Sequence, residues 1–272
     1  MTSHDYAEPA APLTTGRMPL LGFGTWQISS REAPQATAQA LQAGYRHIDT
    51  ATMYQNETGI GRALASANLP RESVFVTTKL PPSHAGRERR TLGESLTKLG
   101  LDYVDLWLIH WPPNGQAAPR VWQQFIRAQQ DGLTKAIGVS NYSLRQIDEL
   151  IQVTGVVPQV NQIRWGPSIY DQAVASGLEQ RGVVLEGYSP FKVSNLHDPT
   201  LVSIAAQHDA TTAQVIVAWH IAHGFVVIPK SVRRERIVAN AAGVRIKLTA
   251  EEVTAIDGLA SVSRAGSRRR FG

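Results

Sequence analysis

The stretch Val74-Phe75-Val76-Thr77-Thr78-Lys79 is a short apolar run that ends in a polar residue, and seven other runs in the chain have the same form. The others close at Thr25, Asp49, His110, Ser140, Gln162, Tyr188 and Lys230. The intervals between runs leave room for a helix and a loop, which is typical of parallel strands joined by helices. The runs are rich in Val, Ile and Leu, as expected for strands buried on both faces. The sequence therefore predicts an α/β protein, a (β/α)8 TIM barrel, with its site at the C-terminal ends of the strands.

The length of 272 residues suits one such barrel, so we predict a single barrel domain over residues 13–272. Residues 13–19 predict an N-terminal β-hairpin about a Thr-Gly turn, placed to close the bottom of the barrel. Residues 1–12 are rich in Ala and Pro and are expected to be disordered. A doubly wound open sheet is the alternative architecture, but Gly22-Phe23-Gly24 lacks the third glycine of the dinucleotide-binding turn.

Composition and charge exclude several classes of protein. No run is long and apolar enough to span a membrane, and the N-terminus has no signal-peptide pattern. The chain has no cysteine, so we expect neither disulfides nor a thiolate metal site, assign no metal, and predict a cytoplasmic location. The net charge is +5, but the basic residues fall into separate groups at 87–90, 230–236 and 268–270. That distribution argues against nucleic-acid binding.

Four of the polar residues predict proton chemistry. Asp49, Lys79 and His110 end consecutive strands, and Tyr54 follows Asp49 by five residues. A nearby ammonium lowers the pKa of a phenol, which is ordinarily near 10. A carboxylate beside the ammonium would hold it in place, and an imidazole can orient a carbonyl oxygen. We therefore expect Tyr54 to act as a general acid on a developing alkoxide. Each residue alone is more often a cap, a solvated group or a packing residue, so the prediction depends on their joint occurrence.

The chain resembles the aldo-keto reductase family, and its smaller bacterial, diketogluconate reductase-like members in particular. The similarity runs in order from about residue 13 to residue 260. The motifs that carry it are Gly44-Tyr45-Arg46-His47-Ile48-Asp49-Thr50-Ala51, Tyr54 with Asn56-Glu57, Thr78-Lys79-Leu80, Asp105-Leu106-Trp107-Leu108-Ile109-His110-Trp111-Pro112, Ile137-Gly138-Val139-Ser140-Asn141, Val160-Asn161-Gln162-Ile163, Gly187-Tyr188-Ser189-Pro190 and Ile228-Pro229-Lys230-Ser231.

This resemblance implies an NADPH-dependent enzyme that reduces aldehydes and ketones to alcohols without a Rossmann fold. The family's catalytic tetrad matches Asp49, Tyr54, Lys79 and His110, with Tyr54 as proton donor. The positions matching the family's cofactor contacts are Thr25, Ser140, Asn141, Gln162, Tyr188, Lys230, Ser231, Arg236 and Asn240. Among them, the amide and hydroxyl groups suit a carboxamide, and the Tyr188 ring suits a flat nicotinamide.

The cationic positions favour NADP over NAD. Lys230, Ser231 and Arg236 match the family's contacts to the 2′-phosphate, and such a cluster suits a dianion. Asn240 matches the adenine contact. One departure is Ala239, where the family commonly has glutamate, and we expect somewhat weaker cofactor binding from it.

The substrate side is predicted from two tryptophans and one departure from the family. Trp26 and Trp111 follow strand ends and are expected to wall the pocket. Arg164-Trp165-Gly166 stands where many relatives carry an acidic residue, an aromatic and a histidine. Arg164 is expected either to offer a cation to an acidic substrate or simply to face solvent. Sugar-derived keto acids, small dicarbonyls and aromatic aldehydes are the candidate substrates.

Two other functions fit the same barrel. Some members of the family are non-catalytic, cofactor-sensing regulatory subunits of potassium channels; the intact tetrad, the compact size and the lack of an extended N-terminal segment argue against that function. A Schiff-base aldolase would use Lys79 as nucleophile, which requires an unpaired amine that the neighbouring Asp49 opposes. We expect a monomer whose partner is a small carbonyl compound.

Overall fold

The computed structural model describes residues 9–260, and an antiparallel hairpin is its first element. Strand β1 (Ala10–Leu13) pairs with β2 (Gly16–Pro19), with Ala10 opposite Pro19. The expectation that residues 1–12 are disordered is therefore wrong for residues 10–12, because their backbone pairs with β2. Residues 1–8 of that stretch, and the basic group at 268–270, lie outside the described residues.

The hairpin closes the bottom of the barrel, as predicted. Met18 and Ala11 are buried against Leu106 and Leu108, whose side chains fill the lower interior. The backbone N–H of Thr14 also donates to the Gln159 side chain at 3.1 Å. The sequence did not predict β1, because a segment rich in Ala and Pro is not typical of a strand. The burial of β1 depends on its contact with the barrel floor.

Eight parallel strands form the barrel, each hydrogen-bonded to the next in chain order. They are β3 (Phe23–Gly24), β4 (His47–Asp49), β5 (Phe75–Leu80), β6 (Val104–Ile109), β7 (Thr134–Ser140), β8 (Val160–Arg164), β9 (Val184–Tyr188) and β10 (Val226–Ile228). A parallel bridge between Leu21 and Val227 joins the last strand to the first. Gly22 donates to the Val227 carbonyl at 2.9 Å, and Gly24 donates to the Pro229 carbonyl at 3.1 Å. The (β/α)8 barrel is thus confirmed.

Helices cover the outside of the barrel. Within residues 9–260 they are α1 (Ala33–Gln42), α2 (Glu57–Ser66), α3 (Glu88–Leu99), α4 (Pro119–Gln130), α5 (Leu144–Thr154), α6 (Gln172–Glu179), α7 (Pro199–Gln207), α8 (Thr212–Ala222), α9 (Arg234–Ala242) and α10 (Ala250–Asp257). Among these described residues, no helix combines the length and apolar character needed to cross a membrane.

Helix α9 was not predicted, although it begins directly after the polar end of β10. Its first three residues are all charged, and only Ile237 and Asn240 of the helix are buried. Such a helix has a narrow apolar face, so hydrophobic periodicity does not reveal it. Its position at the mouth matters for the site, because its N-terminus lies three residues after Lys230.

Candidate active site

Consecutive strand ends bring four polar side chains to one mouth of the barrel. Asp49 ends β4, Lys79 is the penultimate residue of β5, and His110 directly follows β6. Tyr54 lies on a 3-10 turn, Thr52–Tyr54, in the loop after β4. We call these four residues the polar cluster. The structure thus brings together the residues that the sequence singled out for proton chemistry.

A buried ion pair forms the base of the polar cluster. The Lys79 ammonium lies 2.7 Å from both carboxylate oxygens of Asp49 and donates to the Thr50 carbonyl at 2.8 Å. These three acceptors account for the three donors of an ammonium group. Burial lowers the pKa of Lys79, but the Asp49 charge raises it, and the net direction is upward. Lys79 is therefore a charged, paired group, which argues against the Schiff-base aldolase.

The Tyr54 hydroxyl remains protonated at neutral pH. The Lys79 ammonium lies 5.1 Å from the centroid of the Tyr54 ring. Burial raises the pKa of Tyr54 to about 12, and the opposing effect of Lys79 is smaller. The expected lowering of the pKa by Lys79 is thus present but does not prevail, because the side chain is removed from water. A phenol that keeps its proton is a donor toward an alkoxide, which is a stronger base than a phenolate.

His110 is a neutral imidazole packed on Tyr54. The two rings meet edge to face, with centroids 5.6 Å apart. Burial, and secondarily the Lys79 charge, lower the pKa of His110 to about 3. Its Nδ1 is buried without a hydrogen-bond partner among residues 9–260, so Nε2 is the nitrogen that faces the cleft. A neutral imidazole in this position can hydrogen-bond a carbonyl oxygen without contributing a charge.

Next to the polar cluster lies a network of amide and hydroxyl groups. Ser140 donates to the Gln162 backbone carbonyl at 2.8 Å, and the Tyr188 hydroxyl donates to Asn141 Oδ1 at 2.8 Å. The Gln162 amide nitrogen donates to Asp49 at 2.8 Å. This last bond orients Gln162 and leaves its amide oxygen as an acceptor. The network therefore presents polar groups of the type that a carboxamide requires.

A cleft of about 710 Å³ opens above these residues. Trp26 and Trp111 line it and remain 44% and 48% exposed, which agrees with their predicted place at the mouth. Sequence reasoning missed Met53 and Lys192, which also line the cleft. Met53 was detectable in principle, because it lies in the same loop as Tyr54. Lys192 was not, because it reaches the cleft through a tertiary contact, 4.4 Å from the Trp26 ring centroid.

The basic residues after β10 lie at the N-terminus of α9. Lys230 lines the cleft, Ser231 is buried, and Arg236 is exposed in the first turn of the helix. No side chain caps this helix, so its first N–H groups are free of side-chain partners in the described structure. A helix N-terminus flanked by cations is suited to an anion. Asn240 is buried farther along the same helix.

Thr25 departs from its predicted place in the cofactor site. Its side chain is fully buried, and its hydroxyl donates to the Asp49 backbone carbonyl at 2.9 Å. It is also absent from the cleft lining within the described residues. The hydroxyl is therefore engaged by the strand that carries Asp49, and a contact of Thr25 with a cofactor stays a prediction.

The departures at residues 164–166 have separate structural explanations. Arg164 is exposed and lines the cleft. Trp165 is buried outside the barrel, with Tyr170 and Phe225 packed edge-on at 5.8 and 5.9 Å. A Cβ at Gly166 would lie 2.8 Å from Val193, so glycine permits the loop after β9 to pack closely here. Of the three, only Arg164 is available to a substrate.

Comparison with known proteins gives one consistent family. The profile described as "Aldo/keto reductase family" matches residues 20–261. An aldo-keto reductase of Mycolicibacterium smegmatis is 41% identical over 263 residues, covering 95% of this chain and 96% of the relative. A protein named methylglyoxal reductase DkgA from Yersinia pestis is 38% identical, with 95% of both chains covered.

Solved structures agree with the sequence relatives. The crystal structure of an aldo/keto reductase from Brucella melitensis has a TM-score of 0.89 and 40% identity, covering 93% of this chain and all of that one. A Bombyx mori aldo-keto reductase, solved in complex with NADP, has a TM-score of 0.85 and 34% identity, with 92% of both chains covered. Sequence and fold therefore agree over nearly the whole chain.

Proposed function

The chain belongs to the aldo/keto reductase family and is an oxidoreductase, and we propose that it reduces aldehydes and ketones with NADPH, using Tyr54 as the general acid. The observation that carries this proposal is the polar cluster at the floor of the cleft. A protonated phenol, a paired ammonium and a neutral imidazole meet there beside a wall of amide groups. These groups supply an acid, a charge to stabilise its conjugate base, and a donor to orient a carbonyl oxygen.

NADPH, when bound, supplies the hydride that reduces the carbonyl carbon. The His110 Nε2 hydrogen bond orients the carbonyl oxygen toward Tyr54 in this mechanism. Tyr54 then donates its hydroxyl proton to that oxygen, which gives the alcohol. The Lys79 ammonium stabilises the phenolate left behind, since its charge already acts to lower the Tyr54 pKa. Asp49 holds Lys79 in place through both carboxylate oxygens.

The residues around the cleft fit the dinucleotide. The Ser140, Asn141 and Gln162 groups would hold the carboxamide, and the Tyr188 ring would support the nicotinamide face. The uncapped N-terminus of α9, with Lys230, Ser231 and Arg236 near it, would hold the 2′-phosphate. The NADP complex of the Bombyx mori relative supports this choice of cofactor. The buried Asn240 would take the adenine.

Replacing Arg236 with alanine is expected to weaken NADPH binding by about 10- to 100-fold, the usual effect of losing a hydrogen bond to a charged group. NADH has no 2′-phosphate, so its binding should change little. The measurement is fluorescence titration of the protein with each dinucleotide. Arg234→Ala is the matched control, because Arg234 is also exposed and lies two residues away on α9. Equal losses for both dinucleotides would contradict a 2′-phosphate contact.

The cleft favours small carbonyl compounds that carry a negative charge. Arg164, Lys192 and Lys230 line it, and Asp49, its one acidic lining residue within the described part of the chain, is paired with Lys79. With Lys230 assigned to the cofactor, Arg164 and Lys192 remain for a substrate carboxylate. Sugar-derived keto acids are therefore the first candidate substrates. The methylglyoxal reductase relatives support small dicarbonyls as a second class. Trp26 and Trp111 suit aromatic aldehydes, the third class.

The substitution Arg164→Ala tests the charge preference. We expect KM for a keto acid to rise about 2- to 5-fold, since an exposed ion pair contributes up to about 1 kcal/mol. KM for a neutral aromatic aldehyde should stay within about twofold of the wild-type value by the same reasoning. Arg145→Ala, an exposed arginine on α5 outside the cleft, is the control. A parallel rise for charged and neutral substrates would rule out a carboxylate contact.

The decisive experiment for the function tests a panel of carbonyl compounds with NADPH and with NADH, side by side. Oxidation of each dinucleotide is monitored through the absorbance of the reduced nicotinamide. We expect oxidation of NADPH with activated aldehydes and slower oxidation of NADH. Tight NADPH binding without oxidation by any carbonyl would support the cofactor-sensing alternative instead. The monomeric state and the cytoplasmic location stay predictions.

A further inference from the structure

A second carboxyl group, Glu186, lies inside the barrel beneath the polar cluster. It is on β9, two residues before Tyr188, and is 0% exposed. Its Oε1 lies 3.7 Å from His47 Nε2 on β4. Because β4 and β9 are not neighbours in the sheet, this contact crosses the interior of the barrel. The proton mechanism described above makes no use of Glu186.

Neither carboxyl oxygen of Glu186 has a partner within hydrogen-bonding geometry among residues 9–260, although the Gln162 amide is close enough to favour the charged carboxylate. The nearby His47 ring is held by Thr77 at 3.2 Å, and a Cβ at Gly22 would lie 2.5 Å from its Nδ1. Gly22 therefore makes the space in which the imidazole sits. Burial lowers the pKa of His47 to about 3, so this ring is neutral and supplies no charge to Glu186.

The charged groups that face Glu186 come from the polar cluster. Asp49 on β4 repels a charge on Glu186, and Lys79 on β5 attracts it. From β8, Gln162 lies between the two carboxyl groups and donates to Asp49 at 2.8 Å. On the other side, β10 contributes only apolar residues, Val226–Ile228. An ionised Glu186 would thus compete with Asp49 for the same ammonium and the same amide.

We propose that Glu186 is a positioning residue that sets the alkaline limit of carbonyl reduction. As a neutral carboxyl it leaves Lys79 paired with Asp49. As a carboxylate it attracts the Lys79 ammonium and repels the Asp49 carboxylate. Lys79 then stabilises the Tyr54 phenolate less, so Tyr54 becomes a weaker acid. This inference rests on the proposed function, because it concerns the proton that Tyr54 donates.

The ionisation of Glu186 falls in a measurable range. Burial, and secondarily the Asp49 charge, raise the pKa of Glu186 to about 8, against the opposing effects of Gln162 and Lys79. The carboxyl is therefore mostly neutral at pH 7 and mostly charged at pH 9. Tyr54, with a pKa of about 12, keeps its proton throughout this interval.

The kinetic test compares the wild type with Glu186→Gln between pH 6 and pH 9.5. We expect the wild-type kcat/KM for a neutral aldehyde to fall by up to about tenfold from pH 7 to pH 9, the limit that one ionisation near 8 gives when the carboxylate form is inactive. The isosteric variant should match the wild type at pH 6 and stay within about twofold of that value at pH 9. Glu186→Leu is expected to give the same flat profile, and the exposed Glu179→Gln should follow the wild type.

A second readout does not depend on turnover. Since the folded-state pKa of Glu186 lies above its unfolded value, its stabilising contribution is present at low pH and is lost as the pH rises through about 8. We compare the Tm of each variant with that of the wild type at the same pH. For Glu186→Gln this difference should increase from pH 5 to pH 9, and for Glu179→Gln it should stay constant.

The outcomes separate the two proposals. Superimposable pH profiles of active wild type and Glu186→Gln would overturn the role of Glu186 and leave the reductase intact. No NADPH oxidation by the wild type at any pH would overturn the proposed function, and this inference with it. A Tm difference that does not change with pH would show that folding does not raise the pKa of Glu186, which also contradicts the inference.

Discussion

Replacing Tyr54 with phenylalanine is expected to lower kcat/KM for carbonyl reduction by about 10²- to 10⁴-fold, the range that a general acid supplies. The variant removes only the hydroxyl, so the ring can still pack edge to face on His110. NADPH should bind nearly as tightly as in the wild type, because the groups assigned to the cofactor are untouched. Steady-state kinetics with an activated aldehyde and a fluorescence titration with NADPH measure the two effects separately.

A matched control is available in Tyr170→Phe. Tyr170 packs on Trp219 and Trp165 and is not part of the cleft lining. It should retain turnover within about twofold, as a substitution remote from the reacting groups does. If the Tyr54 variant also keeps more than a tenth of wild-type turnover, another group donates the proton.

The substitution Asp49→Asn is expected to lower the free energy of unfolding by about 3–5 kcal/mol, because it leaves a buried ammonium without its counter-charge. Lys79 is 0% exposed, and both Asp49 oxygens lie 2.7 Å from its nitrogen, so water cannot replace the lost charge. For a chain of this size the corresponding fall in Tm is about 6–20 °C. Thermal unfolding followed by circular dichroism gives the measurement.

Two controls isolate the effect of the unpaired charge. Glu94→Gln breaks an exposed ion pair with Arg90, 2.8 Å long, and should cost about 0–1 kcal/mol. The double variant Asp49→Asn/Lys79→Met also removes the Lys79 ammonium that Asp49→Asn leaves unpaired. It should therefore recover part of the lost stability. A double variant less stable than Asp49→Asn alone would mean that Lys79 contributes through its packing and not through its charge.

The strand ends were the most predictable part of this protein. Each barrel strand is a largely apolar run with a polar residue at or near its C-terminal end, and parallel strands place those ends at one mouth. Asp49, Lys79 and His110 therefore follow from local patterns together with the topology. The helices with a broad apolar face or a capping box were equally predictable, as at Thr249, whose side chain caps α10 together with Glu252.

Other features had no local signal. Helix α9 has too narrow an apolar face, and the burial of β1 depends on the barrel floor that it covers. Lys192 enters the cleft only because its loop folds back over Trp26. Thr25 has the residue type of a cofactor contact, yet its hydroxyl donates to the Asp49 carbonyl. For β1, Lys192 and Thr25, the deciding contact joins residues far apart in the chain.

The order of residues was sufficient to predict the barrel, the mouth that bears the site and the identity of its polar groups, since these depend on period and strand direction. The protonation state of those groups required the assembled fold. Burial sets the Tyr54 pKa to about 12 in spite of the nearby Lys79, and it raises the Glu186 pKa to about 8. The loss of water around a side chain is a property of everything packed against it, and strands from opposite sides of the barrel contribute to that packing.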